Sequence, residues 1–192
     1  MLKRENILRD NKLENHNGFV FEEISNISKI NLRGNINDKD FLTKVGKILN
    51  CLLPLEANTS IKTDKLKIFW LSPNEWLIET NNEIFFKEKF SELEYSLDPK
   101  KTAVTDVTEN RSIIRMSGLN LYKLLAKFLV IDLDEVLKKE NSILQTIFLK
   151  VQVLIVRNHK DNDNQCLDIH VNRSYINYIY NLLLDGSKNL DF

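Results

Sequence analysis

Glycine and proline are scarce in this chain, five and three among 192 residues, and there are only two cysteines. With so little backbone punctuation, the places where Gly and Pro do fall mark the ends of elements. Cys51 and Cys166 lie far apart in sequence, which points away from a disulfide framework and toward a reduced, cytoplasmic setting. An excess of one charge is also lacking. The 27 Lys and Arg balance 27 Asp and Glu, so no overall field draws the chain to nucleic acid or to an anionic membrane. No apolar run approaches the ~18 residues of a membrane span. The opening MLKRENILRDNKLENHNG carries charges where a secretory signal needs an apolar stretch. In a cytoplasmic chain the sequons at Asn58, Asn110 and Asn172 follow from an Asn-rich composition and carry no reading. GxGxxG, GxxxxGK[ST] and GxSxG are all missing, which removes the usual dinucleotide, P-loop and hydrolase readings.

What is present is patterning. With 43% of its residues hydrophobic, the chain can bury one sizeable core or two small halves sharing one. Residues 1–24 are polar and mixed in charge and are expected to form an N-terminal arm, partly disordered. From Ser25 onward, ISKINLRG alternates Ile27, Ile30 and Leu32 as a half-buried strand does, and Gly34 ends it. NDKDFLTKVGKILNCLLP then spaces Phe41, Leu42, Val45, Ile48, Leu49 and Leu52 as a helix, with Asn37 or Asp38 as cap and Pro54 as stop. KLKIFWLSPNEWLIET reads as a hairpin, because Pro73 in the tetrad Ser72-Pro73-Asn74-Glu75 presets the backbone angle of a tight turn. NEIFFKEKFSELEYSL follows as a helix with Ile84, Phe85, Phe86, Phe90, Leu93 and Leu97 mostly on one face.

The order then recurs. VTDVTENRSIIRMSG is a turn and a strand ending at Gly118, and NLYKLLAKFLVIDL is a helix. SILQTIFLKVQVLIVRN and NQCLDIHV supply a strand pair around the loop HKDND. NRSYINYIYNLLL closes as a helix begun by Asn172 or Ser174, with Tyr175, Ile179, Leu182 and Leu183 on its apolar face. The expected fold is α+β, with two pseudo-symmetric strand-helix-hairpin-helix units whose helices gather on one face of antiparallel strands. The halves span about 25–100 and 101–186 of a single compact domain, and 187–192 form a C-terminal tail.

Chemistry-bearing residues are few. His16, His159 and His170 have no second histidine or carboxylate at a ligand spacing, so they read as structural or solvent-facing rather than metal-binding. Cys51 and Cys166 read as small buried hydrophobes, with no basic or helix-start setting that would lower a thiol pKa. DNDNQC from Asp161 fails as a calcium loop, because Cys166 stands where glycine is needed and Asn172 where a bidentate Glu is needed. Two arginines remain. Arg111 lies near the start of the second strand unit, and Arg173 lies at a helix start, against the helix dipole, where an interface or an internal carboxylate would offset the cost.

IFWLSPNEWLIE, VTDVTENRSIIRMSG, LLAKFLVIDLDEVL, LQTIFLKVQVLIVRN and LDIHVNRSYINYIYNLL, in that order, together resemble the gamma subunit of heterotetrameric sarcosine oxidase over roughly Ser25 to Leu184. The tryptophan hairpin is the most specific stretch. The family writes it W-L-G-P-D-E-W-L, and Ser72 and Asn74 are conservative departures here. The resemblance implies the fold of the folate-binding region of glycine cleavage T-protein. It also implies a non-catalytic accessory subunit with no catalytic, cofactor-binding or metal residues of its own. Its partners would be the alpha, beta and delta subunits, and FAD, FMN, NAD, zinc and tetrahydrofolate would belong to those partners. Such a complex demethylates sarcosine oxidatively to glycine, releases hydrogen peroxide and passes the methylene group to tetrahydrofolate.

The likeness to T-protein offers an alternative, a stand-alone folate-binding or aminomethyltransferase-like protein. In that family two aspartates precede a Leu-Ile-Val strand, whereas Gln152 and Val153 precede Leu154, Ile155 and Val156 here. No carboxylate is therefore placed for proton transfer. Asp106 matches an aspartate shared by both families and is expected to organise a turn. A free-standing, self-associating domain is the third reading. Turn chemistry and the family likeness together direct Trp70 into the core and leave Trp76 for a contact surface. The candidate interface is thus Pro73, Asn74, Glu75, Trp76, Arg111 and Arg173.

Overall fold

The Asn17-Gly18 dipeptide makes the first turn of the chain. Both residues have positive φ, 49° and 81°, as a two-residue type I′ hairpin demands and as Asn and Gly tolerate. The computed structural model describes residues 7–8, 14–160 and 164–188, with only the backbone of 14–16. In it that turn joins β1 (Glu14–His16) to β2 (Phe19–Ile24). Phe19 and Phe21 alternate inward along β2 and are buried. The expected arm over 1–24 is corrected accordingly: from Glu14 it is sheet, because a period-two aromatic pattern follows a hairpin dipeptide. Ahead of it, the backbone N–H groups of Ile7 and Leu8 donate to the Glu23 carboxylate at 3.4 and 2.9 Å. The remaining arm residues lie outside the described ones.

The chain divides into two compact units, one of Asn26–Thr108 and one that combines the segment up to Ser25 with Glu109 onward. In the first, β3 (Ser28–Arg33) leads to α1 (Lys39–Leu49). Asp38 caps α1 by accepting from the N–H groups of Asp40 and Phe41 at 3.0 and 3.2 Å. The helix ends at Asn50, which is left-handed with φ 53°. It stops short of the expected Leu52, and Leu52 is exposed. Next come β4 (Ser60–Lys62), β5 (Lys67–Ser72), β6 (Glu75–Thr80), α2 (Glu83–Ser96) and β7 (Ala103–Asp106). The strands form an antiparallel sheet in the order β4-β5-β6-β3-β7. Phe41, Val45 and Leu49 of α1 and Phe86 and Leu93 of α2 pack with Ile30, Leu32, Ile68, Trp76 and Ile78 of the sheet. Ile84, expected on the apolar face of α2, is exposed.

The other unit contains β1 and β2 together with β8 (Arg111–Ser117), α3 (Leu121–Leu125), α4 (Leu133–Val136), β9 (Ile143–Phe148), β10 (Val151–Arg157), β11 (Cys166–Asn172) and α5 (Ile176–Lys188). The single helix expected over residues 120–133 is two short ones. Asp132 starts α4 afresh by accepting from the N–H groups of Asp134 and Glu135. The stretch expected to supply one strand is itself a hairpin, β9–β10, turning at Leu149 with φ 53°. Asp161 to Asp163, in the stretch weighed as a calcium loop, lie outside the described residues. A 3-10 turn, Arg173–Tyr175, precedes α5 and leaves Tyr175 exposed, while Ile176, Ile179, Tyr180 and Leu183 are buried. Of the expected tail, Ser187 and Lys188 belong to α5 and the rest lies outside the described residues. The sheet order is β1-β2-β8-β11-β10-β9.

Read from the edges, the two sheets correspond: β4, β5, β6, β3 and β7 match β9, β10, β11, β8 and β2. The duplication expected from sequence is present, but the outermost strands are exchanged. β2 leads into β3 and pairs with β8, whereas β7 leads into β8 and pairs with β3. For that reason the division falls at Thr108 and not near residue 100.

Candidate functional site

The β5–β6 hairpin turns through Pro73 and Asn74, both exposed, with a register shift between Trp70 and Ser72. The Asn74 carbonyl accepts the Gly34 N–H at 3.1 Å, and its Oδ1 accepts the Ser72 hydroxyl at 2.8 Å. Glu75 shares its carboxylate between Asn31 Nδ2 at 2.7 Å and Arg33 at 2.9 Å. Trp76 is corrected: it belongs to no surface. It is fully buried against Phe41, with ring centroids 5.9 Å apart, and its Nε1 donates to the Pro54 carbonyl at 2.8 Å. Trp70 and Trp76 are cross-strand partners, so their side chains leave the sheet on the same face. Trp70 packs against the same core and is the less buried of the two.

Beside this turn, a concavity of about 480 Å³ is lined by Arg33, Gly34, Asn74, Lys100, Lys101 and their neighbours. Lys100 and Lys101 went unread in the sequence. Their signal was the Asp98-Pro99-Lys100-Lys101 turn, which presents two adjacent cations.

In the unit completed by Glu109 onward, Arg111 and Asn172 are cross-strand partners, as are Ile147 and Gln152. Together with Gln145 they line a cavity of about 260 Å³. Gln152 holds the place where the resemblance to T-protein puts an aspartate. The lining offers amides, the Thr146 hydroxyl and one guanidinium, and includes no carboxylate. Arg173 opens the 3-10 turn, and the carboxylate that offsets its position is internal: Arg173 pairs with Glu109, and its N–H donates to the Asn110 carbonyl at 3.0 Å. Asp106 organises its turn by accepting the Thr108 N–H at 2.9 Å.

Arg115 and Asp168 form a bidentate pair across β8 and β11 at 2.8 and 2.9 Å. His170 is buried in β11, and His159 accepts the Cys166 N–H at 3.1 Å through Nδ1. The side chain of His16 lies outside the described residues. Cys51 and Cys166 are free thiols, and burial pushes the Cys51 thiol up. Among the described residues no three His, Cys, Asp or Glu come together as a metal site, and no helix is long and apolar enough to cross a membrane.

Two antiparallel sheets, each with helices on one face and with matching strand orders, define an α+β protein of the class that includes the aminomethyltransferase-like, folate-binding fold. The chain overlays on heterotetrameric sarcosine oxidase from Corynebacterium sp. U-96 with a TM-score of 0.78 at 17% identity, covering 95% of this chain and 91% of the other. On glycine cleavage system aminomethyltransferase T from Bartonella henselae the TM-score is 0.63 at 14% identity, covering 91% of this chain and 47% of that one, so this chain spans about half of the transferase. At such identities these likenesses establish the fold. No curated protein matches the sequence. The sarcosine oxidase, gamma subunit family matches residues 33–189, and the chain belongs to that family.

Proposed function

We propose that this chain is the accessory gamma subunit of a heterotetrameric sarcosine oxidase and works by assembly rather than by chemistry of its own. The observation that carries the reading is the family match over residues 33–189. The carboxylate-free cavity around Gln152 supports it from the side of chemistry. In this reading the alpha, beta and delta subunits are its partners and hold FAD, FMN, NAD and zinc. Together they convert sarcosine, oxygen and tetrahydrofolate to glycine, hydrogen peroxide and 5,10-methylenetetrahydrofolate. Two free cysteines far apart in sequence fit a cytoplasmic complex.

The test is purification of the tagged chain from its native cell. Recovery with larger flavin-bearing subunits, and peroxide release on adding sarcosine, is the expected result. A chain that emerges alone and colourless refutes the reading.

A further inference from the structure

The concavity beside the β5–β6 turn carries three cations, Arg33, Lys100 and Lys101, and no carboxylate in its lining. In a chain of zero net charge this is a local excess with a built frame. Asp98 fixes the lysine turn: its Oδ1 accepts the Lys100 N–H at 2.9 Å, and its carbonyl accepts the N–H groups of Lys101 and Thr102 at 3.0 Å each. Both lysines are exposed. The carboxylate that pairs with Arg33, that of Glu75, is already shared with Asn31. Asn74 spends its Oδ1 on Ser72, which leaves its amide nitrogen as another donor. At Gly34 any Cβ would come within 2.4 Å of the Phe41 ring, so the wall there is bare main chain.

The geometry points to a docking site for an Asp- and Glu-rich segment of a partner subunit, an inference that rests on reading the chain as a subunit. The surface presents donors and positive charge spread over three loops. Its volume, about 480 Å³, exceeds what one carboxylate or phosphate fills. Its wall includes Ala103, where β7 begins as the edge strand of its sheet, and an extended segment can lie along such an edge. Complementary rim charges of this kind govern association rate and salt dependence.

The experiment compares the tagged wild-type chain with K100E/K101E and K100R/K101R, each purified from the native cell at physiological salt. The wild type and K100R/K101R should retain the larger subunits. K100E/K101E should lose them by roughly ten-fold or more, with an unchanged thermal melt because both side chains face solvent. Full recovery with K100E/K101E overturns the docking site and leaves the subunit reading standing. If the wild type itself recovers no partner, the subunit reading fails and an oligoglutamate peptide titrated into the full chain decides the site. Salt-sensitive binding that is lost in K100E/K101E upholds it, and no binding overturns it.

Discussion

Trp76 donates its indole N–H to the Pro54 carbonyl at 2.8 Å, tying the tryptophan hairpin to the segment that follows α1. The bond is buried, and the ring above it meets Phe41. Trp76→Ala should therefore lower stability by ~3–5 kcal/mol, as expected for a buried aromatic. Trp76→Phe keeps an aromatic ring but strands a buried carbonyl, at a smaller cost of ~1–3 kcal/mol. Denaturant midpoints of the two variants, read against the wild type, check the order. A wild-type midpoint for Trp76→Ala would put the ring back on the surface.

The exchanged strand makes a second prediction. Phe19 and Phe21 stack at 6.3 Å and belong to the same core as Ile114, Met116 and Leu167. Removing residues 1–24 should thus unfold the unit that begins again at Glu109, and not merely trim a tail. Phe21→Ala alone should cost ~3–5 kcal/mol. Soluble yield and the cooperativity of thermal unfolding read the outcome; a truncated chain that melts like the full one contradicts it.

Those two cases show how much the sequence disclosed. Periodicity located β3, α1, the β5–β6 hairpin, α2 and α5, because each carries an apolar stripe of its own. It could not assign strands to sheets. β7 is a four-residue strand, largely exposed, and β2 pairs with β8, some ninety residues further along the chain. Nothing local to either encodes the exchange. The β1–β2 turn was legible, since Asn17-Gly18 is a hairpin dipeptide, but charged neighbours concealed it. Trp76 was misassigned because direct cross-strand partners share a face, so it joins Trp70 against the same core. At the candidate site, Asn74 and Arg111 were readable from turn and strand-start chemistry. Lys100 and Lys101 matter only through their folded proximity to Arg33.

Arg115 and Asp168 supply a third prediction, set by an asymmetry in exposure. The Asp168 side chain is 4% exposed and that of Arg115 38%. Arg115→Ala takes the bidentate guanidinium away from a buried carboxylate and should cost ~3–5 kcal/mol. Asp168→Ala should cost less, because Arg115 can turn to water. Replacing both, as R115M/D168L, should recover much of the loss, since well-packed apolar pairs often match buried ion pairs. Equilibrium unfolding of the three variants tests the ranking, and equal losses for the two single substitutions would contradict it.

Tyr122 carries the pH dependence. Burial pushes its phenol up from 10.0 to about 12, with Arg157 opposing and Asp134 adding to the shift. Because the folded state favours the neutral phenol, the stabilisation is complete below about pH 10 and is lost as pH rises toward 12. Lysines and other tyrosines titrate in the same window, so the informative quantity is the difference from Tyr122→Phe. The substitution leaves the Tyr122 backbone bond to Gln165, 2.9 Å, in place. Between pH 9 and 12 the wild type should lose more melting temperature than Tyr122→Phe, and the phenolate absorbance of the folded protein should rise late by one tyrosine. Parallel melting curves across that window would mean that the Tyr122 phenol is as easily ionised folded as unfolded, and that its burial among α3 and its neighbours has no energetic consequence.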